Sequence, residues 1–505
     1  MTNPESIYIG NGFIDSQLVA VIPLAHGYCT ERKIQRLVFE RPLPATIFKN
    51  HELSQILSQY EVVVPNEGTS PRLTRTGRIL MSAVVQLIPG LQLAAGTSRR
   101  SLLSEGSWFD IQLRHGVWDQ AMQAVPDGTL TLSFGRRVVA AIAARLAVRR
   151  GKRLVQQEHV VSAFLGHSVY AGRGLLAELA RRGVDVLAHA DGVVYRVPND
   201  RDTSWSMMAP AMWESRMKFV TKTQLSEFWS ARKTGKSTYS EALAASVKTR
   251  DVEKTTPKNV ILLHVFRDSP FNFIDTSRIF ADYVEWVTQT LRIIRGSQEK
   301  WLIKLHPSAT RWGENQATWL DKIGEGVFGR NAWPTHIEIS DSAYSNVELF
   351  QHASRVVTYN GTAHLEGACW GIKPVIVSEV TLGSFDSNAV LKPADLGAYE
   401  ELLMLPHNSN VFRLSESEQG SARKLLYIRE NFLSFQQDVG WLDTYRGDEP
   451  AVFRDSFEST IAKVGYFAPL LVEQGQALAQ GHPRTASLRF FPRCSSHGGC
   501  VRVKL

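Results

Sequence analysis

The sequence predicts an α/β protein of two Rossmann-like domains, and three observations carry that prediction. First, apolar runs of strand length end in polar side chains at VILLHVFRD (Val260 to Asp268), at WLIKLHPS (Trp301 to Ser308) and within SRVVTYNGTAHLEGACWGIKPVIVSE (Ser354 to Glu379). Strands that discharge polar groups at their carboxyl ends are how an open parallel sheet builds a ligand crevice. Second, HVVSAFL (His159 to Leu165) leads through a loop into a helix with Leu175, Leu176 and Leu179 on one face, and then into two short strands. That is a strand, helix, strand unit by period. Third, Ser230 to Asn259 has few large apolar residues and mixed charge, and so reads as an exposed helix plus linker between the blocks.

In chain order, the first domain is expected over residues 1–250, with strands at LVAVIPL (Leu18 to Leu24), YEVVVP (Tyr60 to Pro65) and His159 to Leu165. Gly172-x-Gly174 lacks the third glycine of a dinucleotide fingerprint and reads as a turn that lets a ligand approach. Asp200-Arg201-Asp202 has the form of a metal-diphosphate motif, but after Pro198 and Asn199 a polar turn is the better reading. The second domain is expected over 255–410. A Ser-x-x-Glu entry at the start of Leu414 to Phe435 then opens an amphipathic helix. Helices are expected over 411–475 and a disordered tail over 476–505, which is basic and aperiodic. No repeat of 20 to 50 residues is present.

The chain has 505 residues, 44% hydrophobic and 21% charged, enough to bury at least two cores. No run approaches the roughly 18 to 20 apolar residues of a membrane-spanning helix. The amino terminus has no basic region followed by an apolar core, so a cytoplasmic protein is expected. Cys29, Cys369, Cys494 and Cys500 show no metal-ligand spacing, and Cys369 reads as a buried small hydrophobe. A net charge of +8 implies an anionic partner. Much of the excess lies between Arg136 and Arg153, where Arg136, Arg137, Arg145, Arg149, Arg150, Lys152 and Arg153 occur with no acid. This amphipathic basic helix either meets an anionic inner-membrane surface or packs on the core with a solvated basic end. No nucleic-acid partner is expected, because aromatic residues are not interleaved with the basic run.

Several side chains are candidates on their own chemistry. A carboxylate at a strand end can act as a general base or as a nucleophile. Asp268 directly follows its strand, whereas Asp275 lies in the next loop and could instead cap a helix near Thr276. His264, four residues before Asp268, could assist. Lys304 and His306, before the turn at Pro307, can bind a phosphate or form a surface loop. Gly361 permits close backbone approach beside Asn360, and Thr362 can cap the next helix. Glu366 then sits one turn in, where a carboxylate also favours the helix dipole.

HVFRDSPFNFIDTSRIFADYVEWVTQTLRII, WLIKLHPS and VVTYNGTAHLEGACWGIKPVIV together resemble the GT-B glycosyltransferases of capsule and lipopolysaccharide assembly, in particular the Kdo transferases and their capsular-polysaccharide relatives. In that family the first segment ends its strand at acidic and polar residues. The second carries a Lys-x-His-Pro turn, and the third an Asn/Ser-x-Thr turn followed by Glu. The resemblance covers residues 255–380 and, in the first block, only the turn from Gly166 to Gly174. It implies two domains around a deep cleft, acceptor on the first and donor on the second. It further implies a nucleotide-sugar donor, CMP-linked Kdo favoured, and a glycan or glycolipid acceptor. Donor contacts would come from Lys304, His306, Asn360, Gly361, Thr362 and Glu366, with Glu366 accepting sugar hydroxyls. Asp268, Asp275 and His264 would carry the chemistry. No cofactor and no metal is implied, since a monophosphate leaving group can be balanced by Lys and His. A nucleotide-sugar epimerase of the same fold and a non-catalytic glycan-binding capsule-assembly protein are the alternatives.

Overall fold

The computed structural model describes residues 4–10, 15–64, 84–104, 106–166, 170–190, 193–197, 221–233, 259–268, 279–307, 309–310, 313–330, 332–340, 345–361, 363–377, 387–431 and 464–481. Two sheets organise them. The first contains β1 (Ser6–Ile9), β2 (Arg36–Phe39), β3 (Glu61–Val63), β4 (Val160–Leu165), β5 (Asp185–Ala190) and β6 (Val193–Arg196) in the order β3-β2-β1-β4-β5-β6. Every pairing is parallel except β5 with β6. The second contains β7 (Asn259–Leu262), β8 (Trp301–Lys304), β9 (Ile337–Ser340), β10 (Arg355–Thr358) and β11 (Val375–Ile376), all parallel, in the order β11-β10-β7-β8-β9. Each sheet therefore has its first strand in the middle, its second and third on one side and its fourth and fifth on the other. That is the doubly wound Rossmann order, and the predicted α/β two-domain class is what the chain forms.

The period of two along each strand divides the core. In β7, Ile261 joins Trp286, Trp301 and Trp319 on one face, whereas Val260 and Leu262 join Phe350 and Val356 on the other. In β1, Ile7 and Ile9 face one cluster and Tyr8 the opposite one. Both faces of both sheets are covered, as parallel sheets require.

The helices that matter here are α1 (Asp15–Arg32), α2 (Leu87–Gly96), α3 (Trp108–Gln123), α4 (Phe134–Glu158), α5 (Arg173–Arg181), α6 (Lys222–Lys233), α7 (Tyr283–Ile294), α8 (Gln316–Phe328), α9 (Asn346–His352), α10 (Ala363–Cys369), α11 (Glu416–Asn431) and α12 (Val464–Ala479). The segment from Leu18 to Leu24, expected as a strand, lies inside α1. The reason is burial on every side: Val19, Val21, Ile22 and Leu24 are all fully buried, and a helix that is apolar all round shows no amphipathic period. Its outer face is closed by α12, whose Leu471 and Leu478 enter the same core. Two glycines permit the crossing. A Cβ on Gly27 would sit 1.9 Å from the Val472 carbonyl oxygen, and one on Gly475 would sit 2.0 Å from that of Leu24. The α12 helix thus runs past residue 476, where the tail was expected to begin.

Gly174 also differs from expectation. Its Cβ direction is filled by the Ala144 carbonyl oxygen at 2.4 Å, so the glycine serves the packing of α5 on α4 and not the approach of a ligand. Residues 198–200 and 201–202, with the Asp-x-Asp form, lie outside the described residues. The predicted units from β4 through α5 to β6 and from Ser415 into α11 are present, and Cys369 is fully buried.

Two elements tie the sheets together. The α3 helix packs Leu113, Val117 and Ala121 against α2 and α4, but sends Trp118 and Met122 into the core of the second sheet. Arg99 Nε and Trp118 Nε1 both donate to Asp282 Oδ2, at 2.9 and 3.1 Å, on the residue that caps α7. The α6 helix precedes the expected boundary at 250, yet its Trp229 packs with Leu365, Ala368 and Leu425 of the second domain.

Candidate active site

In the second sheet the chain leaves β7 toward β8 on one side, while β10 lies on the other side, so the loops at their carboxyl ends diverge. Such a switch point is where doubly wound folds take ligands. Four of the predicted residues converge there: His264 after β7, His306 after β8, and Asn360 and Gly361 after β10.

His264 is at the centre. Its Nε2 lies 3.0 Å from Thr358 Oγ1. Its ring stacks on Tyr283 with centroids 5.2 Å apart and lies 6.2 Å from the His306 ring. Gly361 has φ +98, and a Cβ there would meet His264 Cε1 at 2.4 Å, so both backbone and space demand glycine. Burial, and then the neighbouring His306, lowers the His264 pKa to about 3, opposed by a bond from the Asn360 backbone and reinforced least by His364. The fold therefore favours the neutral ring. With the folded value depressed, that stabilisation is complete above the unfolded value of about 6.5 and is lost as pH falls through the folded value. Histidine NMR should show His264 Cε1–H unchanged between about pH 8 and pH 5, where exposed histidines titrate. A midpoint near 6.5 would contradict this geometry.

Tyr283 donates its hydroxyl to Asn360 Oδ1 at 3.1 Å. Its pKa is raised well above the usual value, by burial first and then by the charge of Asp268. Asp268 ends the turn after β7, its N–H donating to the Val265 carbonyl at 3.1 Å. Its Oδ1 accepts from the Tyr170 hydroxyl of the first domain at 3.3 Å. Tyr170 occupies the left-handed region at φ +55. Gly116 of α3 allows that turn to sit close, since a Cβ there would be 2.4 Å from the Tyr170 carbonyl oxygen. The carboxyl edges of the two sheets meet through this hydroxyl and this carboxylate.

The loop before α8 holds both strand ends. Glu314, buried, accepts the N–H groups of Phe266 and Arg267 at 3.0 Å each. Burial outweighs those bonds and the Arg267 charge, and raises its pKa to about 7. Gln316 donates to the His264 carbonyl and accepts from the His306 N–H. Asp127 of the first domain then closes the loop from outside, accepting from Arg267 Nη2 at 2.5 Å and Trp319 Nε1 at 3.1 Å.

Lys304 and Glu366 are close to each other below this layer. Lys304 Nζ donates to Asn346 Oδ1, and Asn346 Nδ2 donates to Glu366 Oε2 at 3.3 Å. Glu366 Oε1 accepts from Arg232 Nη2 at 2.8 Å, with both side chains buried. Burial lowers the Lys304 pKa to about 8, and Glu366 opposes the shift. Asp275 and Thr362 lie outside the described residues. Tyr170, Tyr283, Glu314, Gln316 and Asp127 were not anticipated. The run Glu314-Asn315-Gln316, polar and just after the His-Pro turn, was the one visible signal for the loop clamp. Among the described residues no group of three His, Cys, Asp or Glu side chains is placed to hold a metal ion.

No protein-family profile matches the chain and no curated protein matches it. Among solved structures, a glycosyltransferase from Rickettsia africae is 8% identical, with 94% of this chain and 100% of that one covered and a TM-score of 0.26. Anabaena HepE in complex with UDP and glucose is 10% identical, with 85% and 95% covered and a TM-score of 0.26. The UDP-GlcNAc 2-epimerase of Methanocaldococcus jannaschii, in complex with UDP-GlcNAc and UDP, is 14% identical, with 84% and 99% covered and a TM-score of 0.25. Likenesses this distant carry no argument about activity.

Proposed function

We propose that the protein is a glycosyltransferase of GT-B type that moves a sugar from a nucleotide donor to a surface polysaccharide or glycolipid. The observation that carries this reading is the Tyr170–Asp268 bridge beside the switch point, which sets one carboxylate between the two domains. In the proposed reaction Asp268 takes the proton of an acceptor hydroxyl as its oxygen bonds to the anomeric carbon, and the bond from that carbon to the donor phosphate breaks. His306 binds the phosphate, and Asn360 with Gly361 approaches the donor through its backbone. Lys304 and Arg232, buried beneath them beside Glu366, favour the departing anion. His264, kept neutral, orients Thr358 and fills the space over Gly361. Asp275 and Thr362 remain part of the proposal as base and cap. The resemblance favours a CMP-linked acid sugar such as Kdo as donor, used without a metal, by a cytoplasmic protein peripheral to the inner membrane. No described helix is long and apolar enough to cross a membrane.

The test is incubation of the purified protein with CMP- and UDP-linked sugars, with and without glycan acceptors, followed by mass spectrometry. Transfer gives an acceptor heavier by one sugar and a free nucleotide. An isomerised donor in the absence of acceptor would instead identify an epimerase, and no consumption of any donor would sink the enzymatic reading. His306→Ala should lower kcat/KM for the donor by about tenfold or more, the scale of a lost hydrogen bond to a charged group.

A further inference from the structure

Seven of the twelve large apolar side chains exposed among the described residues cluster on α2, the turn before it and the start of α4. Val84, Ile88 and Leu91 recur at helical spacing, and Ile88 is 69% exposed. On α4, Phe134 and Val139 are exposed, Val139 at 71%. The small residues lie inside instead. Ala94 packs with Ala140, Ala141 and Ala144, and a Cβ on Gly90 would meet Ile142 Cγ1 at 2.8 Å. This inverts the usual amphipathic helix of a water-facing surface.

The charge of the same unit has one sign. Val84 to Ser104 contains no acid, and the one acid of α4, Glu158 at its end, is held by Arg36 at 2.9 Å. Of the α4 cations, Arg150 is paired with Glu40, and Arg137 donates to the Ala94 and Thr97 carbonyls. Arg149, Lys152 and Arg153 are exposed. Val139, Leu146 and Arg153 recur every seven residues, so one face of α4 passes from apolar to cationic along its length.

We propose that α2 and α4 form a docking face for an anionic lipid bilayer, inserting Ile88, Leu91, Phe134 and Val139 among the acyl chains while Arg149, Lys152 and Arg153 meet the headgroups. A surface with exposed apolar groups and cations but no acid complements anionic lipid and repels a second copy of itself. Docking stands on these helices alone. Its use, to bring the first domain to a lipid-linked acceptor, rests on the transferase reading.

The full chain should be sedimented with vesicles of phosphatidylcholine and of phosphatidylcholine mixed with phosphatidylglycerol. Binding is expected to the anionic vesicles only. The doubly substituted Ile88→Asp, Val139→Asp protein should bind at least tenfold more weakly. Replacing Arg149, Lys152 and Arg153 by Gln should weaken binding by roughly two orders of magnitude. Because all five side chains are exposed, circular dichroism of these variants should match the parent. An environment-sensitive dye on Val139→Cys should shift to the blue on anionic vesicles. Absence of binding by the parent, or unchanged binding by both variants, would overturn the proposal. So would a parent dimer that the two aspartates convert to monomer, which would assign the face to a second copy. None of these readouts needs a sugar donor, so they fail or succeed separately from the transferase assay.

Discussion

Replacing Asp268 by asparagine is expected to lower kcat by about a thousandfold, within the 10² to 10⁴ range of a lost general base, while nucleotide affinity measured by calorimetry changes by less than about threefold. The substitution is chosen for what it leaves alone. An asparagine oxygen still accepts from the Tyr170 hydroxyl, and the turn keeps its bond from residue 268 N–H to the Val265 carbonyl. Glu314 continues to hold the Phe266 and Arg267 amides, so the loop should not move. What disappears is the ability to take a proton. Retention of full turnover would remove Asp268 from the chemistry and leave Asp275 as the remaining carboxylate of the proposal. Loss of donor affinity together with turnover would mean instead that Asp268 binds the nucleotide.

The largest effect on stability is expected at Glu366. It is the one carboxylate in a buried chain that also contains Arg232 and Lys304, both nearly inaccessible to solvent. Glu366→Ala removes the carboxylate that Arg232 and Lys304 face, and removing one partner of such a buried pair costs about 3–5 kcal/mol. The denaturation midpoint should fall accordingly, read through Trp286, Trp301 and Trp319, which lie in the core of that domain. The double change Arg232→Met, Glu366→Leu should restore part of the loss, because Lys304 is then the cation left in that chain and burial already lowers its pKa to about 8. The same experiment separates two roles for Glu366. If it accepts sugar hydroxyls, Glu366→Gln abolishes donor binding with modest loss of stability. If it neutralises the buried cations, Glu366→Gln destabilises the domain, and donor affinity survives wherever the protein is folded.

The strands that build the candidate site were legible because each is a short apolar run stopped by polar groups: β7, β8 and β10 lie where VILLHVFRD, WLIKLHPS and SRVVTYNG place them. The unit from β4 to β6 was legible for the same reason, with a helical period between its strands. The first strands were not. SIYI and RLVF flank α1, whose apolar run from Leu18 to Leu24 reads as a strand in their place, because α12 covers that helix and leaves it no amphipathic period. Tyr283 opens α7 as an ordinary aromatic, and nothing near it in the chain marks it as the partner of His264 and Asn360.

The division follows from the range of the forces involved. Strand or helix and the polar stops at strand ends arise from residues within a few positions of one another, so the primary structure alone carries them. The contacts that make a site of them span far greater separations: 98 positions from Tyr170 to Asp268, 134 from Arg232 to Glu366 and 48 from Glu314 to Phe266. Which distant groups become neighbours depends on sheet order, on helix crossings such as Gly27 with Gly475, and on how burial shifts each charge. Those are properties of the packed chain, and no local pattern of residues encodes them.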